Sequence, residues 1–176
     1  IDFVYYTSGY KPQSVMAIGT KKYLLSKKID TFDSIICLIK WRKGNHSFLL
    51  NLKTNWIDPI KETSMSDQNV TLHYTNNKII SDQKNRGMYI SSDLNDYESV
   101  NLDFNQRLIS LDKNSYKYEG YGFSSIINFM EKIYYKSDGD KINDAYPNLE
   151  QSYNITKVLE AAQKSLKNNS KWINIK

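Results

Sequence analysis

Two apolar runs joined by a glycine turn constrain the fold of this chain more than any other feature. From Asp33 to Trp41 the sequence is almost wholly apolar, with Ile35, Cys37, Ile39 and Trp41 on one face of an extended strand and Ile36 and Leu38 on the other. Lys43-Gly44-Asn45 follows, a turn whose Gly and Asn accept positive φ. The returning strand alternates: Phe48, Leu50, Leu52, Thr54 and Trp56 point one way, and Asn51, Lys53 and Asn55 the other. The two runs predict a β-hairpin whose strong stripe meets a core. Its second face, with Ile36, Leu38, Leu49 and Ile57 among polar residues, is semi-apolar.

Other segments extend the pattern. Ser14 to Gly19 predicts a short strand, and Val70, Leu72 and Tyr74 alternate before a turn at Asn76-Asn77 into Lys78-Ile79-Ile80. With Gly87 to Ser91 and Ser99 to Phe104, consecutive hairpins predict an antiparallel sheet of about six or seven strands. Both ends of the chain read as helical. Ile1 to Tyr6 looks like the last turns of a helix, halted by Gly9 and Pro12, and with no initiator Met before it this edge is expected to be a domain boundary. Ile126, Phe129, Met130, Ile133 and Tyr134 recur at helical spacing over 124–137, with Gly139 as the stop. After Pro147, Asn148 and Gln151 make a capping box for a helix over 148–168, whose apolar face carries Ile155, Val158, Leu159, Ala162 and Leu166. Trp172 to Ile175 alternates as a last strand. The expected class is α+β, with these two helices on one face of the sheet.

Composition narrows the function. The 176 residues, 40% hydrophobic and 24% charged, suit one packed domain rather than a disordered tail. The net charge of +5 is spread over small clusters such as Lys21-Lys22, Lys27-Lys28 and Arg42-Lys43, each beside acidic or amide residues, so a phosphate-binding stripe is not expected. The 14 tyrosines do not form the strand-spaced platform that single-stranded nucleic acid needs, since Tyr5, Tyr6, Tyr134, Tyr135 and Tyr153 fall on predicted helices. No apolar stretch reaches the roughly 18 residues of a membrane helix. A lone Cys37 inside an apolar strand reads as a buried hydrophobe and fits a reducing, cytoplasmic setting.

Catalytic motifs are scarce. No G-x-G-x-x-G opens a helix after a strand; Gly120-Tyr121-Gly122 lacks the third glycine and reads as a strand-to-helix hinge. His46 in a turn and His73 on a polar strand face lack metal-ligand partners at useful spacing. Asp67, next to Gln68 in a polar loop, reads equally well as a loop-capping aspartate or as an acceptor for a ligand.

The order of several short segments is nevertheless distinctive. Ala17-Ile18-Gly19-Thr20-Lys21-Lys22-Tyr23-Leu24, Ile29-Asp30-Thr31-Phe32-Asp33-Ser34, Asn55-Trp56-Ile57-Asp58-Pro59, Asp67-Gln68, Asp82 to Gly87 and Gly120-Tyr121-Gly122 resemble, in that order, the C-terminal domain of the glucose-fructose oxidoreductase and inositol dehydrogenase family. Tyr146-Pro147-Asn148-Leu149-Glu150, Val158-Leu159-Glu160-Ala161-Ala162 and Lys171-Trp172-Ile173 are similar to its closing helix and strand. The resemblance implies a single C-terminal domain over 1–176, separated from a dinucleotide-binding domain that holds NAD or NADP. It also implies hydride transfer from a sugar or polyol to the nicotinamide. The family's catalytic lysine and histidine motifs are absent; Tyr10-Lys11-Pro12 follows a helix end and is not the lysine motif. On this resemblance Asp2, Asp67, Gln68 and Tyr121 would contact substrate, no residue would be catalytic or hold cofactor or metal, and the chain alone would be inactive. A homo-oligomer built through the semi-apolar sheet face is expected, with no nucleic-acid or membrane partner. The alternative from a different class is a stand-alone binding module whose sheet engages a protein or nucleic acid.

Overall fold

The computed structural model describes residues 1–62, 66–85, 87–94, 97–100, 107–110, 116–119, 122–135 and 149–175. The chain forms two units, one of Ile1–Ile60 with Asn143–Lys176 and one of Lys61–Ile142. The first unit begins with α1 (Asp2–Ser8), β1 (Lys11–Thr20), the short α2 (Tyr23–Ser26), β2 (Ser34–Lys43) and β3 (His46–Asn55). The second holds β4 (Asn69–His73), β5 (Asn77–Asp82), β6 (Gly87–Ser92), β7 (Glu98–Val100), β8 (Arg107–Ser110), β9 (Tyr116–Glu119) and α3 (Phe123–Tyr135). The chain then returns to the first unit as α4 (Leu149–Lys167) and β10 (Ile173–Asn174).

The hairpin forms as its sequence dictates. Lys43 pairs with His46 and Gly44 takes φ +57°, so β2 and β3 run in register from Lys43–His46 to Ser34–Asn55. β1 pairs antiparallel to β2 with a bulge between Pro12 and Ser14, where a proline that cannot donate to the ladder is accommodated. β10 completes the order β10-β1-β2-β3. One face carries Val15 and Ala17, Cys37, Ile39 and Trp41, and the partly buried Leu50 and Leu52, under Val158 and Ala161 of α4. Ile1, Val4 and Tyr5 of the α1 region join the same core. Trp41 is fully buried between Phe48, stacked at 6.1 Å, and Tyr5, edge-on at 6.4 Å. Gly19 of β1 is required by close approach: a Cβ there would stand 2.6 Å from the Phe32 ring.

The expected single sheet of six or seven strands is corrected. The described residues form two four-stranded antiparallel sheets, β10-β1-β2-β3 and β4-β5-β6-β7, with a separate β8-β9 ribbon. Alternation identifies strands and hairpins but not which hairpins share a ladder. Ribbon strands β8 and β9 and helix α2 were not anticipated, while residues 101–104 of the strand expected over Ser99 to Phe104 lie outside the described residues, as do Gly139 and the Pro147-Asn148 start of the last helix. The helix packing is corrected as well. The first sheet is covered by α1 and α4, whereas α3 belongs to the second unit beside β9, with Ile126, Phe129, Met130, Ile133 and Tyr134 exposed. Trp56, placed on the core stripe by alternation, falls past the end of β3 and is 75% exposed.

Candidate functional site

Of the four anticipated substrate residues, Asp67 and Gln68 stand together at the entry to β4. The Gln68 carbonyl accepts from Gln83 N–H at 2.9 Å, extending the β4–β5 pairing by one bond and fixing the loop that holds Asp67. The β5–β6 turn brings Lys84 to this loop. Its Nζ donates to Glu62 Oε1 at 2.8 Å and lies 3.7 Å from Asp67 Oδ2. That turn is shaped by Asp82, whose Oδ1 accepts from Asn85 N–H at 3.0 Å and whose Oδ2 accepts from Asn85 Nδ2 at 2.7 Å. The Asn85 backbone N–H, then its side chain, hold the Asp82 carboxyl below the usual carboxylate range.

The result is an exposed carboxylate and amide next to a lysine shared with Glu62. Such a group accepts hydrogen bonds from hydroxyls through Asp67 and exchanges them both ways through Gln68. Lys84 and Glu62 were not singled out from sequence, although Lys84 lies inside the Asp82-to-Gly87 segment that carried part of the resemblance. Their only sequence signal is a lysine in a tight turn. Asp2 opens α1 in the first unit and is exposed. Tyr121 lies outside the described residues, as does Gly120.

Other titratable groups are accounted for structurally. Asp33 is 3% exposed, and its carboxylate accepts from the N–H groups of Lys22, Tyr23 and Leu24, each at 2.7 Å. The Leu24 N–H above all holds its carboxyl below the ordinary range. This is a cap for α2, with every oxygen engaged by the chain's own backbone. Cys37 is buried and burial pushes its thiol up, which leaves it a poor nucleophile. His46 and His73 are exposed. Among the described residues no group of three or more His, Cys, Asp or Glu is placed to hold a metal ion, and no helix is long and apolar enough to cross a membrane.

No family model matches the sequence, and no curated protein does. Solved structures do. A candidate oxidoreductase from Thermotoga maritima superposes at TM-score 0.72 with 13% identity, over 99% of this chain and 44% of that one. This chain shares the fold of the matching part of that oxidoreductase. An inositol dehydrogenase homolog from Azotobacter vinelandii, complexed with NADH and myo-inositol, matches at TM-score 0.60 with 11% identity over 96% of this chain and 45% of that one. A super-repressor mutant of Gal80p from Saccharomyces cerevisiae matches at TM-score 0.64 with 11% identity over 99% of this chain and 47% of that one. The chain thus spans less than half the length of each of these structures.

Proposed function

We propose that this chain is the substrate-side domain of an NAD- or NADP-dependent oxidoreductase acting on a sugar or polyol. The observation that carries the reading is the fold match to a dehydrogenase homolog over 96% of the chain. Hydride transfer and proton handling belong to a dinucleotide-binding domain outside these 176 residues, whose sequence holds neither the glycine fingerprint nor the family's lysine and histidine motifs. This domain's share is orientation. Asp67 and Gln68 hydrogen-bond substrate hydroxyls so that one carbon faces the nicotinamide. The Lys84–Glu62 pair holds the Asp67 loop in place. The open face of the first sheet joins two copies of the protein in a cytoplasmic homo-oligomer.

The test is the complete reading frame that encodes this chain, assayed for NAD or NADP reduction with myo-inositol and a panel of sugars. Asp67→Asn should raise KM about tenfold while kcat changes little, the signature of a lost binding contact. The 176-residue chain by itself should bind neither cofactor in calorimetric titration. Micromolar binding of NADH by the isolated chain, or an upstream frame without a dinucleotide-binding fingerprint, would overturn the reading. The Gal80p match shows the same fold in a repressor, so the second outcome would favour a binding module.

A further inference from the structure

Three carboxylates of the second unit stand around Lys84, and the distances show how they divide its charge. Asp82 is occupied within its own turn, where the Asn85 N–H and Nδ2 donate to one oxygen each. Glu62 Oε1 accepts from Lys84 Nζ at 2.8 Å, well within bonding range. Asp67 Oδ2 lies 3.7 Å from the same nitrogen, outside that range. Exposure ranks the two in the same way: the Glu62 side chain is 34% exposed and the Asp67 side chain 51%. The ammonium bonds the more covered carboxylate and stands back from the more open one.

From this division we infer that Glu62 is a positioning residue: it draws Lys84 aside and so leaves the Asp67 carboxylate to substrate hydroxyls. The inference rests on the substrate-side reading above, in which Asp67 is the contact, and adds the group that keeps this contact available. A carboxylate offers about four acceptor positions, and neighbouring hydroxyls of a polyol fill them best when no ammonium already donates to either oxygen. Bonds between charged partners are roughly twice as strong as neutral ones. While Glu62 is ionised, Lys84 has a charged partner at bonding distance. With a neutral amide in that place, Asp67 becomes the stronger acceptor, a short side-chain swing away. The Asp67 loop is also tied at β4, where the Gln68 carbonyl accepts from Gln83 N–H at 2.9 Å. A change in the partner of Lys84 therefore alters what Asp67 offers more than where it stands.

Steady-state kinetics on the complete reading frame test it, with NAD or NADP and with myo-inositol, D-glucose, D-galactose and D-xylose as probes. Glu62→Gln should raise KM about threefold at unchanged kcat, the size of one ion-pair contact near the surface. Lys84→Gln keeps a side-chain donor for Glu62 and should leave KM near the parent value. The double variant Glu62→Gln/Lys84→Gln should return KM to that value, because an amide pair still ties the loop and no ammonium remains to occupy Asp67. Damage to the loop would give the opposite result, a double variant at least as impaired as Glu62→Gln alone. A Glu62→Gln protein with the parent KM, or a double variant no better than Glu62→Gln, overturns the inference; where Asp67→Asn still raises KM, the substrate-side reading survives it. If Asp67→Asn leaves KM unchanged, or if none of the four probes is oxidised, that reading fails and the inference fails with it.

Discussion

Among the described residues, Asp33 is a carboxylate held by three N–H groups of its own chain, and none of its partners is visible from its neighbours in sequence. Lys22, Tyr23 and Leu24 supply the N–H groups from nine to eleven positions upstream, where α2 has no side-chain cap of its own. Because these bonds depress the folded-state pKa, Asp33 contributes stability at pH values above the ordinary aspartate range. That contribution is lost as the pH falls through the lowered folded value. Asp33→Asn should therefore be less stable than the parent near neutral pH, and the gap should close as the pH falls below the ordinary aspartate range and through the lowered folded value. Urea denaturation across that range checks it; a gap independent of pH would mean that the carboxylate's charge is not what holds α2. Ser165 was equally illegible. Its hydroxyl, fully buried, accepts from Ala17 N–H at 2.9 Å and donates to the Lys171 carbonyl at 2.6 Å, tying residues 148 positions apart. By contrast, the burial of Cys37 and the exposure of His73 follow from strand alternation, and the exposure of His46 from its place at the hairpin turn. Lys84 beside Asp67 depends on a turn bringing two loops together, and no periodicity reports that.

Helix α4 shows what element-level periodicity gives and withholds. Spacing identified the helix and the burial of Val158, but Leu159 is 55% exposed and the buried stripe runs through Val158, Ala161 and Ser165. Size explains the rotation. Small side chains let the helix approach β1 closely enough for Ser165 to bond its backbone, whereas a pattern search follows the larger Leu159. Val158→Ala should therefore cost about 2 kcal/mol through the cavity it leaves, and Leu159→Ala no more than about 0.5 kcal/mol. Equal losses in chemical denaturation would return the helix to the orientation its apolar pattern suggests. For α3 the stripe was strong and the helix is present, yet its apolar residues are exposed beside β9. An apolar stripe declares that a surface wants cover without naming the cover. The same ambiguity divided the expected meander: each of the hairpins β2–β3, β4–β5 and β5–β6 was read from its own residues, but the break between β3 and β4 was not.

At the scale of the molecule, the first unit is assembled from the two ends of the sequence, residues 1–60 and 143–176, with the second unit inserted between β3 and α4. Every fully buried large side chain among the described residues belongs to the first unit: Trp41, Ile39, Val15, Val158 and Ser165. Three of these lie on β1 and β2 and two on α4, so neither segment closes the core alone. The fold match at 13% identity fits this arrangement, since burial of one face of a few strands under a closing helix survives extensive surface replacement. It also predicts how the unit fails. Ending the chain at residue 148 removes α4 and β10, uncovers Val15, Ala17 and Ile39, and leaves the Ala17 N–H without the Ser165 hydroxyl. Burial of each Val or Ile is worth about 1.5–3 kcal/mol, and an unmet buried donor costs about 1–3 kcal/mol. Together these losses match the whole stability of a typical domain, about 5–15 kcal/mol. The truncated chain should therefore lose the sigmoidal urea transition of the first unit, followed by the near-ultraviolet signal of Trp41 in its aromatic cluster. Adding a peptide of residues 149–176 should restore that signal, because the missing contacts come from this helix and strand and not from continuity of the chain. A truncated protein that keeps a cooperative transition and the native Trp41 signal would show that α1 and the hairpin hold the core without α4.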